Sequence, residues 1–163
     1  MNHSRLFLAS LALIAFSTAI FAQDGSSVTQ RVTIEVKPIF KIAVTGDPQP
    51  LVIQNGVAGE TNASVSENST SYSVLTNVDN MKIAASISDP MPAGTQLLMA
   101  LSSSKGASLG SVDISGAHTP VDLVAGIGRG VDADQNITYT LVADATVGQV
   151  PAQTRVVTLT LTN

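Results

Sequence analysis

Residues 28–45 read VTQRVTIEVKPIFKIAVT, and a two-residue alternation runs through nearly all of it. Val32, Ile34 and Val36 share the even phase with Phe40, Ile42 and Val44, while Arg31, Thr33, Glu35, Lys41 and Thr45 take the odd one. A period of two sends successive side chains to opposite faces, the signature of a half-buried strand. Pro38 falls inside the run. It has no N–H for a ladder, so the strand is expected to bend, split or lie on an edge there.

The same pattern recurs toward the C-terminus. Arg155 to Thr162 alternates Val157, Leu159 and Leu161 with Thr158, Thr160 and Thr162, and Asn136 to Ala143 alternates through Ile137, Tyr139 and Leu141. Strand character is also expected for Leu51 to Ile53, Tyr72 to Thr76, Lys82 to Ser88, Thr95 to Leu101, Ser111 to Ile114 and Val121 to Ala125. Between these lie turn and loop signals: Gly46-Asp47-Pro48, Asn55-Gly56, the polar stretch Glu60 to Ser71, Asn77 to Asn80, Asp89 to Gly94, Ser102 to Gly106 and Gly126-Ile127-Gly128-Arg129-Gly130. Eight or nine short strands, turns every ~8–12 residues and no 3.6-residue apolar stripe predict an all-β fold. The expected architecture is an antiparallel two-sheet immunoglobulin-like β-sandwich, with a closed barrel as the alternative. The chain has no Trp and few aromatics, so its core must be aliphatic.

At the N-terminus, Met1 to Arg5 is short and polar, Leu6 to Phe21 is almost wholly apolar, and Ala22 precedes the polar run Gln23 to Ser27. That order predicts a secretory signal peptide over residues 1–22, with cleavage after Ala22 or, alternatively, after Ala19. A retained anchor is the competing reading, but the apolar run is shorter than the ~20 residues a spanning helix needs and no basic cluster follows it. Residues 23–163 are then expected to be one domain of a secreted protein, extracellular, at the cell surface or periplasmic. No stable membrane insertion is expected once the leader is gone. Zero cysteines mean that stability comes from packing and sheet hydrogen bonds, and they remove thiol chemistry and cysteine metal sites. The formal net charge is −4, and the basic residues from Arg31 to Arg155 are scattered, so no nucleic-acid partner is expected.

No catalytic, cofactor or metal site is predicted. His118 is the only histidine beyond the leader and sits in the turn-like Gly116 to Pro120. Ser115 and Asp113 are near it in sequence, but no nucleophile motif accompanies them. Asp132-Ala133-Asp134-Gln135-Asn136 has oxygen ligands at alternate positions, yet Ile137 and Ala143 stand where a calcium loop wants glycine and glutamate. Gly126 to Gly130 lacks the lysine and the following helix of a phosphate loop. The glutamates Glu35, Glu60 and Glu67 offer no evident pair for glycoside cleavage.

The chain ends carry the functional expectation. The first strand, Val28 to Val36, can be the edge strand of its own sandwich. Alternatively it can be donated to a groove in another subunit, with Val32, Ile34 and Val36 filling pockets while the main chain forms ladder bonds. The layout resembles the secreted bacterial pilin-like sandwiches of the spore coat U type. The likeness rests on the alternating run Val32 to Val44 after a signal peptide, on the Gly/Pro turn with Leu51-Val52-Ile53, and on the closing Thr-rich strand Arg155 to Thr162. The family's usual cysteines are absent from this chain. The resemblance implies immunoglobulin-like subunits assembled through donated N-terminal strands. The expected function is therefore a non-enzymatic structural or adhesive surface protein, a fibre subunit that self-associates or joins other surface subunits. The alternative is a carbohydrate- or ligand-binding module using sandwich-end loops at Glu60 to Ser71 and Gly126 to Asn136.

Overall fold

The computed structural model describes residues 25–163; the predicted leader and its cleavage point lie outside the described residues. The chain divides between Glu35 and Val36, and the sandwich is built within residues 36–163. Nine strands form it: β1 (Phe40–Thr45), β2 (Asn62–Thr76), β3 (Met81–Ile87), β4 (Thr95–Leu101), β5 (Ala107–Ser108), β6 (Val112–Asp113), β7 (Val121–Ile127), β8 (Gly130–Asp144) and β9 (Val157–Thr162). They make two sheets, β1-β2-β8-β4-β6 and β5-β7-β3-β9, in which every pairing is antiparallel. There is no helix among the described residues. The two-sheet antiparallel sandwich of the sequence reading is the observed fold.

The core follows from alternation. Tyr72 and Val74 of β2, Ile83, Ala85 and Ile87 of β3, Leu97, Met99 and Leu101 of β4, Leu123 and Ile127 of β7, and Ile137 and Tyr139 of β8 are buried between the sheets. Each fully buried large aliphatic side chain contributes ~1.5–3 kcal/mol over leaving it in water. The odd phase of β9 also faces inward, where Leu161 is buried and Val157 and Leu159 pack at the margin of the core.

Some expectations are corrected. Leu51 to Ile53 forms no strand. Pro48 and Pro50 just before it remove two ladder donors, so the segment crosses the mouth of the sandwich without pairing. Val28 to Val36 pairs with no strand either, and the chain from Gly25 to Ile39 is without strand or helix. Most of the polar stretch Glu60 to Ser71 is not a loop but the first two-thirds of β2, which runs for 15 residues and pairs with the equally long β8. Gly126 to Asn136 is likewise mostly strand, with β7 reaching Ile127 and β8 starting at Gly130. Both proposed binding loops are therefore sheet.

Candidate functional site

The sandwich is open along one side. β1 ends one sheet and β9 ends the other, so among the described residues each has one neighbour and one free edge. Between them lies a cleft of about 820 Å³, lined by Ile42 and Val44 of β1, Leu51 of the following loop, Leu97 and Leu141 on the floor, and Leu159 of β9. The inward residues of β1 show what is missing. Phe40 is 50% and Val44 48% exposed although both sit on the core-facing phase. In a closed sandwich that phase would be covered. Here the two sheet edges leave apolar side chains and unpaired peptide groups bordering the same trench.

The floor is not wholly apolar. β2 has a bulge between Glu67 and Thr70, which swings both residues to the inward side. The Thr70 hydroxyl lines the cleft, is buried with the residue 3% exposed, and has no hydrogen-bond partner. Glu67 accepts from the Ser69 amide at 2.6 Å through Oε1, while its other oxygen is unpartnered. Hydrogen bonds from Ser69 hold the Glu67 carboxyl below the usual glutamate range. Burial, reinforced by the Glu67 charge, raises the neighbouring Tyr139 hydroxyl. Arg155 closes the upper rim, its guanidinium donating to the Pro90 carbonyl at 3.2 Å and to Gln153 at 2.6 Å.

The segment singled out for strand donation lies next to β1 in sequence. Val32, Ile34 and Val36 are 71%, 87% and 82% exposed, and Val28 is exposed as well. At its C-terminal end, the Asn77 carboxamide spans Pro38: Oδ1 accepts from the Ile39 amide at 2.6 Å and Nδ2 donates to the Lys37 carbonyl at 2.9 Å. The Asn77 amide also donates to the Ile39 carbonyl at 3.0 Å.

The other candidate residues are dispersed or already engaged. His118 is exposed. The Ser115 hydroxyl accepts from the Leu97 amide at 2.8 Å, and the Asp113 carboxylate accepts from the Ser115 amide, so these three do not assemble a proton relay. Asp132 does not face solvent with Asp134. It is 1% exposed and takes hydrogen bonds from both hydroxyls of Ser103 and Ser104 at 2.6 and 2.7 Å and from the Ser104 amide. Burial alone would raise its carboxyl, but these donors and the Lys105 amide outweigh it and hold the group below the usual aspartate range. Asp132 is a staple for the Ser102 to Gly106 loop, a role no sequence signal marked, since Asp132 lies on the phase opposite Ile137 and Tyr139. Among the described residues no group of three or more His, Cys, Asp or Glu is placed to hold a metal ion. A second, polar cleft of about 470 Å³ lies at the β2–β8–β4 end, bordered by Asn62, Thr95, Asp113 and Asp144.

No protein-family model matches this chain, and no curated protein or solved structure matches it either.

Proposed function

We propose that this is an exported, non-enzymatic structural or adhesive protein whose subunits join by strand addition, the N-terminal segment Val28 to Val36 of one copy lying in the β1–β9 trench of another. The trench carries the reading. It is bounded by two free sheet edges that can each supply ladder bonds, and apolar side chains such as Ile42, Val44, Leu97, Leu141 and Leu159 line it. The chain itself contains such an alternating segment, outside any strand and with its valines and isoleucine exposed. Export is supported by the leader-like residues 1–22 and by the low charge and Ser/Thr-rich surface. On this reading the partners are further copies or other surface subunits, with neither nucleic acid nor bilayer involved.

The test is the oligomeric state of the exported chain by light scattering, with and without Val32→Asp and Ile34→Asp together. Wild-type protein is expected to form concentration-dependent oligomers and the double variant to stay monomeric while keeping its β spectrum. A wild type that remains strictly monomeric at high concentration sinks the proposal.

The alternative, a glycan-binding module, gains one observation: the polar cleft at Asn62, Thr95, Asp113 and Asp144. Glycan-array binding lost in Asp113→Ala and retained in the double strand variant would favour it.

A further inference from the structure

A tethered strand meets its own groove at an effective concentration of about millimolar when the linker is short, far above the concentration of any second copy. In this chain the linker between Val36 and β1 is only Lys37, Pro38 and Ile39. Left free, those residues form a hairpin loop of ordinary length, and the segment closes on the free edge of β1 in the same molecule. Assembly between copies therefore needs something that opposes the hairpin.

We propose that the Asn77–Pro38 clamp is that device: by holding Lys37 to Ile39 extended, it denies the N-terminal strand to its own groove and commits it to a second copy of the chain. This rests on the strand-addition reading above. The geometry is specific. Ile39 continues the β1–β2 ladder by one step, since the Asn77 amide donates to its carbonyl just beyond the Phe40–Thr76 pair. The Asn77 side chain then takes over as a substitute strand. It satisfies the two peptide groups on either side of Pro38, with the Ile39 amide at 2.6 Å and the Lys37 carbonyl at 2.9 Å. Pro38 cannot offer an N–H, and its ring fixes φ, so one side chain suffices to hold all three residues in line. A reversal at residues 37–39 has to break both side-chain bonds.

Asn77 is accordingly a positioning residue for assembly. The experiment compares exported wild type with Asn77→Ala and with Pro38→Gly, which loosens the same linker while keeping Asn77. Assembled share is read by light scattering, and amide exchange of residues 28–36 is read in the monomer fraction. Both variants are expected to raise the monomer-to-assembled ratio, Asn77→Ala by about tenfold, the weight of one or two net hydrogen bonds. The monomers that appear are expected to protect the amides of residues 28–36, because the strand has closed on its own edge. An unchanged ratio in both variants overturns the clamp, and so do new monomers whose segment stays unprotected. A separate arm adds a synthetic peptide of residues 28–36 to the Val32→Asp/Ile34→Asp chain. No uptake there defeats strand addition itself. Uptake there with an unaltered Asn77→Ala ratio defeats only the clamp.

Discussion

Asp132 shows how one side chain can govern a loop. Its carboxylate ties Ser103 and Ser104 to β8, while Ser102 is joined to β8 at Asn136, and Tyr72 lies beside it, donating its hydroxyl to the Ser102 carbonyl at 2.5 Å. Replacing Asp132 with Ala strands two hydroxyls and an amide, and the expected cost is about 3 kcal/mol of unfolding free energy, measured by urea denaturation. The two groups also set opposite pH limbs. Asp132 has a depressed carboxyl, so its stabilisation is present above the unfolded value near ~4 and is lost as pH falls through the folded value. Tyr72 is pushed up to about 12, first by burial and then by the Asp132 charge. Its stabilisation is intact below ~10 and is lost as pH rises toward that value. Urea midpoints across pH are expected to fall at both extremes. Tyr72→Phe should lower the plateau by about 1 kcal/mol while flattening the alkaline limb.

At the level of the element, legibility depended on whether a strand's neighbours could be inferred. Thr95 to Leu101 is found with the predicted bounds, and β1 and β9 alternate as read, because their inward phases are apolar. β2 was hidden over its first two-thirds, where the inward positions are Ala63, Val65, Glu67 and Thr70 and the outward ones are mostly Ser and Asn. Composition there looks like a loop because part of that face borders the open trench rather than the dense core. Val28 to Val36 is the converse. Its alternation was plain, but a strand exists only with a partner, and no sequence pattern says whose edge it will meet. The β3–β4 connection makes a sharper prediction. Gly94 has φ +74°, and a Cβ there would strike Val147 Cγ2. Its carbonyl also receives the Asp144 amide at 2.9 Å. Gly94→Ala is expected to cost about 2 kcal/mol, read as a shift of the thermal midpoint, whereas Gly116→Ala, with open space around it, should stay near wild type.

On the scale of the whole molecule, stability and association are one quantity if the trench is filled in trans. A ligand that binds only the folded state raises its stability by RT ln(1 + [L]/Kd), about 2.7 kcal/mol at a hundredfold excess over Kd. The thermal midpoint of the wild type is therefore expected to climb with protein concentration, and that of the Val32→Asp/Ile34→Asp chain to be flat until the 28–36 peptide is added. A flat wild-type midpoint counts against assembly. The open side has a practical corollary for anyone handling the protein. A copy caught without an occupant exposes two ragged backbone borders and a greasy furrow, which will recruit whatever extended polypeptide is nearest, including misfolded neighbours. Such material should gel or precipitate on concentration unless a short decoy peptide is supplied from the moment of refolding.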